Sequence, residues 1–444
     1  MITLKQAAQW CGGSVLPEYE SVSFFGAEND SRSICPGQLF VALRAARDGH
    51  DFIPKAMQAG AAAVLGERQL PDVPMIVVPD SLKGLQAIAG GWRQSLHGIK
   101  LIALTGSVGK TTTKELCAAA CSASFSTVWT QKNFNNEIGV PKTLLSLRPD
   151  TKVAVVEMGM NHFGELSRLS SIARPDVAVI TNIGSMHLEN LGSRAGICQA
   201  KLEILEGLSP DGIAVLNYDE PLLRQAALPC RTLWFGYGAG CELQGEEVAQ
   251  SPEQLSFTAV GFGQKLRVEL PTPGSHNVMN ALAALLAAHC VGVPLDQAAA
   301  ALRQFRNTGD RLRIFRQQDF TVIADCYNAG PESMGSSFDV LRLQPTEGRR
   351  IAVLGDMLEL GSYAADAHRT AGEQAAAAAD LVLALGPLSV DTARGAGEKG
   401  RHFEDRQALL EALRAEARPG DVLLFKGSHG MHMEDILEQF LAPT

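Results

Sequence analysis

From residue 101 onward, short apolar runs alternate with amphipathic stretches, and 153–157, 177–183 and 213–216 read as strands with helices between them. That rhythm predicts a mostly parallel sheet covered by helices. Between 255 and 270 the period changes to two around Gly261 and Gly263. Leu255, Phe257 and Ala259 share one side, and Leu266, Val268 and Leu270 follow the turn, which predicts a hairpin-like extension. After Pro273 and Gly274, residues 276–290 read as an alanine-rich helix. A second alternating set then appears at 321–324, 351–354, 381–385 and 422–425. This set predicts a separate doubly wound domain. No GxGxxG follows its first strand, which counts against a dinucleotide site there. The first hundred residues form a less regular unit punctuated by Gly37, Gly49 and Gly60. The expected fold is therefore α/β in three domains, over 1–82, 83–312 and 313–444. The alanine run 375–379 reads as a closely packed helix segment.

Composition narrows the function classes. The chain has 444 residues and a formal charge of -9, from 39 basic and 48 acidic side chains. With no concentrated basic run, that balance argues against broad electrostatic binding of nucleic acid, and any anionic substrate must be gripped locally. The nine cysteines are scattered and odd in number, so they read as reduced, mostly core residues of a cytoplasmic protein. Cys117 and Cys121 share a helical face, but no CxxC or second cluster supports a zinc site. The N-terminus lacks the layout of a secretion signal, and no apolar run is long enough to span a bilayer, so no membrane insertion is expected.

The chemistry is concentrated in TGSVGKTTT, Thr105 to Thr113, which follows an apolar run and precedes a helix-like segment from Lys114. In such a turn, backbone N–H groups converge at the positive end of a helix, where a polyphosphate is held. Thr105, Gly106, Ser107, Val108, Gly109, Lys110, Thr111 and Thr112 are thus candidate nucleotide contacts. Gly106 and Gly109 allow the tight path, Lys110 reaches the terminal phosphates, and Thr111 offers its hydroxyl to magnesium. The spacing is shorter than usual, because Leu104 stands where a further glycine is expected. A plain glycine turn between strand and helix is the alternative.

The next strand ends in Glu157, a position from which a metal on the triphosphate can be held, followed by Asn161 and His162. A strand-end carboxylate in solvent is the bland reading. Asn182, His187 and Glu189 are expected at the carboxyl end of the third strand, the edge where open sheets bind ligands. Alone, His187 reads equally as a hydrogen-bonding loop residue. Asn277 and Asn280 share a helix face, and their amides suit either an adenine edge or, for Asn277, helix capping. Lys201, taken by itself, reads as an exposed charge on an amphipathic helix.

Seven segments in order closely resemble the Mur ligases of peptidoglycan synthesis. They are TGSVGKTTT, NFNNEIGVPKTLL from Asn133, VVEMGMNHFGE, ITNIGSMHLENLGS, AKLEIL, GSHNVMNALAA and DCYNAGPESM, with KGS near the end. The resemblance implies a small N-terminal domain for a UDP-sugar, a central ATPase domain and a Rossmann-like C-terminal domain. Within the family, the motifs are similar to those of the member that uses ATP to join D-alanyl-D-alanine to UDP-N-acetylmuramoyl-tripeptide through an acyl phosphate. That activity would serve cell-wall biogenesis, and through it cell shape and division.

By the same resemblance, Lys110 stabilises the transferring phosphoryl group, Thr111 and Glu157 hold magnesium, and His187 serves a second metal site. Lys201 matches a lysine that Mur ligases carbamylate, which would make it a carboxylate-like ligand. Asn277 and Asn280 match adenine-contacting positions, Arg311 an arginine at the ATP phosphates, and Asp325 a C-terminal residue that reaches the nucleotide. Ser31 and Arg32 in DSRSICPGQLFVAL match uridine contacts, and Asn135 and Asn136 match sugar-nucleotide contacts. A solvated turn residue is the plain alternative for Arg32. A monomer is expected.

The sequence departs from the family pattern at Ala45, where glycine is usual, and in a shortened segment before Asp48, Gly49 and His50. It departs again at Gly330, in YNAGP rather than YNANP, and at His429 after KGS. These departures fall on the N-terminal loop and the dipeptide pocket. Rival readings are a sister Mur ligase or a folylpolyglutamate synthase-type enzyme, and, in a different class, an ATP-driven switch that ligates nothing.

Overall fold

Only Lys100 of the strand Lys100–Thr105 is exposed; the other residues are buried, as a strand covered on both faces requires. The computed structural model describes residues 1–306 and 311–442. This strand lies inside a nine-stranded sheet. Its order is Gln264–Leu270, Leu255–Gly261, Leu243–Gln250, Arg231–Gly236, Ile213–Asn217, Val177–Ile180, Lys100–Thr105, Val153–Glu157, Thr127–Trp129. Pairing is parallel except at the first two neighbours, where Leu243–Gln250, Leu255–Gly261 and Gln264–Leu270 run antiparallel. The period-two segment is therefore the expected hairpin, continuous with the sheet.

The strand expected over 177–183 stops at Ile180. The Thr181 N–H still donates to the carbonyl of Thr105 at 3.0 Å, while the side chains turn to the loop after Lys100–Thr105: Thr181 Oγ1 donates to the carbonyl of Val108 at 2.8 Å and Asn182 Nδ2 at 3.0 Å. The helix of that loop also begins earlier than expected, at Lys110 rather than Lys114. The alanine-rich helix His276–Cys290 matches its expected span and is almost wholly buried against the central sheet.

The C-terminal sheet has the order Arg313–Gln317, Phe320–Asp325, Val422–Lys426, Arg350–Gly355, Leu381–Leu385, Gly400–Phe403, parallel except for the first pair. Alternate residues face separate cores. Ile323, Ala352, Leu354 and Leu424 enter one, and Val322, Ile351, Val353 and Phe425 the other, so helices cover both faces. The alanine segment belongs to helix Ala364–Ala378, and its close packing is visible at Gly372, where a Cβ would lie 2.0 Å from the carbonyl oxygen of Thr392.

The N-terminal unit holds a four-stranded parallel sheet of Ala27–Glu28, Leu39–Val41, Ala63–Gly66 and Met75–Val77. Helix Ser81–Ser95 joins it to the central unit, with Trp92 Nε1 donating to the carbonyl of Leu147 at 3.1 Å. All nine cysteines are free. Cys117, Cys121, Cys198 and Cys326 are buried, whereas Cys35 is exposed and not a core residue. Among the described residues, no helix is long and apolar enough to cross a membrane.

Candidate active site

Gly109 has φ 80 and opens helix Lys110–Ser122 with no side-chain cap, so the first amides of the helix remain available. Gly106 is required by contact, since a Cβ there would lie 1.9 Å from Thr181 Oγ1. Lys110 Nζ donates to the carbonyls of Gly106 at 2.8 Å and Ser107 at 3.3 Å. Burial lowers its pKa to about 8, with Glu157 opposing the shift and Arg311 adding to it. Asn182 holds the loop from the neighbouring strand. Its Oδ1 accepts from the amides of Ser107 at 3.1 Å and Val108 at 3.0 Å, and its Nδ2 donates to the carbonyl of Val108 at 3.0 Å. An anion seated on those two amides must displace that carboxamide oxygen.

Glu157 ends its strand 1% exposed, with one oxygen satisfied and one not. Oε1 accepts from Thr111 Oγ1 at 3.3 Å and Asn135 Nδ2 at 2.9 Å. Oε2 is buried without a partner among the described residues. A carboxylate oxygen sealed from water beside a threonine hydroxyl fits a magnesium ion shared with phosphates, and costs stability otherwise. Among the described residues there is no group of three or more His, Cys, Asp or Glu that could hold a metal. A metal here would therefore take most of its oxygens from substrate and water.

Lys201 is 2% exposed, which corrects the reading of its charge as solvated. Burial, followed by the nearby charge of Lys110, drives its pKa well below the ordinary lysine value, against a smaller opposing effect of Cys198. His187 has φ 65 and precedes the short helix Leu188–Leu191; its Nδ1 lies 2.7 Å from Glu359 Oε2.

Asn277 and Asn280 are buried at the start of the alanine-rich helix. Asn277 Nδ2 donates to the carbonyl of Pro273 at 3.0 Å, so the side chain does not cap the free amides of the helix, as the alternative reading required. Asn280 Oδ1 accepts from Thr113 Oγ1 at 3.2 Å, and its Nδ2 donates to Asn277 Oδ1 at 3.0 Å. At the boundary between the central and C-terminal units, the guanidinium of Arg311 lies 3.8 Å above the ring of Tyr327. Asp325 accepts from Lys426 Nζ at 2.5 Å and Ser337 Oγ at 2.7 Å.

One cleft of about 680 Å³ brings together Ser107, Val108, Gly109, Lys110, Thr112, Asn135, Asn136, Glu157, His187, Asn277, Asn280, Arg311 and Asp325. Thr105, Gly106, Thr111 and Lys201 are not part of its wall; Thr105 is fully buried at the strand end. Ser31 and Arg32 lie outside it as well. Ser31 is buried, and Arg32 is exposed and paired with Asp30 at 2.7 Å. Their unit is tied to the cleft by Lys142, whose Nζ reaches Glu28 Oε1 at 2.6 Å from the helix after Asn136. Sequence reasoning missed Tyr327 and Lys426 as wall residues, although both sit inside quoted motifs. Asn182 was expected at the ligand edge, but its grip on the phosphate loop had no sequence signal.

Comparison with known proteins covers nearly the whole chain. Residues 104–288 match the Mur ligase middle domain, 310–429 the Mur ligase, glutamate ligase domain, and 26–89 the Mur ligase family, catalytic domain. The chain is 40% identical to the UDP-N-acetylmuramoyl-tripeptide--D-alanyl-D-alanine ligase of Bacillus subtilis, over 99% of this chain and 98% of that one. A crystal structure of MurF from Acinetobacter baumannii superposes with a TM-score of 0.91 at 32% identity, covering 99% and 98% of the two chains. MurF ligase from Thermotoga maritima in complex with ADP superposes with a TM-score of 0.82 at 29% identity, covering 94% and 97%.

Proposed function

The chain belongs to the Mur ligase family, and on that premise we propose that it is the ATP-dependent ligase that joins D-alanyl-D-alanine to UDP-N-acetylmuramoyl-tripeptide. The observation that carries the reading is 40% identity to that enzyme over nearly the full length, combined with one cleft in which the phosphate loop, Glu157, Arg311 and the C-terminal Asp325 meet. Because the reaction consumes ATP and a nucleotide sugar, we assign it to the cytoplasm.

A carboxylate at neutral pH resists attack by an amine. In the reaction, an oxygen of the tripeptide's terminal carboxylate attacks the γ-phosphorus of ATP, and ADP leaves. The amine of D-alanyl-D-alanine then attacks the acyl carbon, loses a proton and expels inorganic phosphate. Lys110 follows the charge of the transferring group, and the uncapped helix amides hold the remaining phosphates. Asn277 and Asn280 face the adenine, and Arg311 closes on the phosphates from the C-terminal side. Ser31, Arg32, Asn135 and Asn136 hold the sugar nucleotide.

Thr111, Glu157, His187 and Lys201 are the residues that would hold magnesium, which when bound offsets repulsion between the carboxylate and the triphosphate. Lys201 suits a further modification. Its neutral amine, favoured by burial, adds to carbon dioxide and releases a proton to give a carbamate, which replaces a buried amine with an oxygen ligand.

Phosphate release that requires ATP, UDP-N-acetylmuramoyl-tripeptide and D-alanyl-D-alanine together, with a product of the joined mass, tests the reading. Release driven by folate and glutamate, or by a single amino acid in place of the dipeptide, would refute it. Hydrolysis without any ligated product would favour a nucleotide switch.

A further inference from the structure

The seam between the central and C-terminal units carries a contact that the reaction outlined above does not use. Nδ1 of His187 lies 2.7 Å from Oε2 of Glu359. Nδ1 is sealed from solvent, and among the described residues no acceptor meets it with hydrogen-bond geometry. Glu359 is 52% exposed, so a small rotation of its carboxylate makes the contact a directed hydrogen bond. The His187 ring lines the cleft.

Both residues hold left-handed backbone, φ 65 at His187 and φ 63 at Glu359, which side chains with a Cβ rarely adopt. Such strain persists where the surroundings fix it, and it clusters at functional sites. Here the surroundings are explicit. Ser185 Oγ donates to Glu332 Oε1 at 2.8 Å, just before His187. On the other side, Gly361 at φ 54 packs on Glu189, where a Cβ would lie 3.4 Å from the Glu189 Cβ. The loop carrying His187 is thus held to the C-terminal unit on both flanks of the ring.

We propose that Glu359 is the positioning residue of His187: its carboxylate keeps the proton on Nδ1 and so presents the lone pair of Nε2 to a divalent cation in the cleft once the C-terminal unit is seated. The nitrogen that can ligate is set by the bond the other one makes. Without the carboxylate, a free imidazole divides its proton between the nitrogens, and the Nε2–H form cannot ligate. The inference rests on the reading of His187 as a metal-facing group.

The test uses the full-length protein labelled with ¹⁵N-histidine, titrated with Mn²⁺ in the presence of a non-hydrolysable ATP analogue. In the wild type and in Glu359→Gln, which keeps an acceptor oxygen, the ring nitrogen shifts report the Nδ1–H form. In Glu359→Ala they shift toward a mixture, and Mn²⁺ affinity falls about tenfold. His187→Ala loses at least as much. Wild-type affinity in Glu359→Ala, with loss in His187→Ala, overturns the role of Glu359 and leaves that of His187. Wild-type affinity in His187→Ala removes both. If Glu359→Ala does not fold, Glu359→Lys serves in its place, with the same loss expected and the same result overturning the proposal.

Discussion

Asp325 and Lys426 end adjacent parallel strands at paired register positions, and Nζ of Lys426 lies 2.5 Å from Oδ2 of Asp325. The lysine side chain is 2% exposed and the aspartate 15%, so the pair sits in a dry wall of the cleft. Each charge is offset chiefly by the other, with Ser337 Oγ and the Leu312 amide also donating to Asp325 and Lys426 donating to the carbonyl of Asn328.

Removing one partner should therefore cost more than removing both. Lys426→Met is expected to lower stability by about 3–5 kcal/mol, and the double variant Lys426→Met/Asp325→Leu to recover most of that loss. Chemical denaturation of the single and double variants checks it. A double variant whose loss is the sum of the two single losses would mean the pair is not coupled.

The same pair sets an acid limit. Burial alone would raise the pKa of Asp325, but the Lys426 charge and the hydrogen bonds from Lys426 and Ser337 override it and hold it below the ordinary carboxylate value. A depressed folded pKa contributes stability that is complete above the unfolded value of about 4 and is lost as pH falls through the folded one. Stability of the wild type should thus fall below about pH 4 more steeply than that of Asp325→Asn. Denaturation midpoints measured against pH decide it.

Gly109→Ala should weaken nucleotide binding. The glycine has φ 80, and an added methyl would lie 2.3 Å from Oδ1 of Asn280, which is itself held by Thr113. The backbone strain alone is about 1–2 kcal/mol. Calorimetric titration with ATP and magnesium should show at least about a tenfold loss, a step of ~1.4 kcal/mol. Unchanged affinity in Gly109→Ala would place the phosphates elsewhere.

Glu157→Gln should separate stability from activity. With Oε2 buried and unpartnered, the charge is a liability in the nucleotide-free protein. The neutral amide is expected to raise stability by roughly 1–3 kcal/mol while ligation falls by about a hundredfold or more, with a greater magnesium requirement. A variant that is both less stable and fully active would remove Glu157 from the metal site.

Lys201 gives a trend at alkaline pH. In buffer free of carbon dioxide, its lowered folded pKa means the native protein binds fewer protons than the unfolded chain, so stability should rise with pH toward the ordinary lysine value near 10. Lys201→Met should lose that rise and also lose ligation, and bicarbonate should not restore the activity. An active Lys201→Ala variant would eliminate the carbamate.

The legible parts were those carried by local order. The apolar run before TGSVGKTTT made Lys100–Thr105 a strand followed by a glycine turn and a helix, although the helix starts four residues before the expected Lys114. The period-two stretch gave the hairpin Leu255–Gly261 and Gln264–Leu270, and apolar periodicity gave helix His276–Cys290 to the residue. Short strands with weak patterning, such as Thr127–Trp129 and Gly400–Phe403, escaped notice because each is only partly buried and adds to a sheet edge.

Residue order by itself determined the α/β architecture, the phosphate loop and the family motifs, since all depend on neighbours within one strand, turn or helix. Tertiary structure alone decided that Lys201 is buried rather than solvated, that Asn182 grips Ser107 and Val108, and that Glu359 meets His187. Those relations join segments far apart in the chain. They fix burial and charge, quantities that no local pattern encodes.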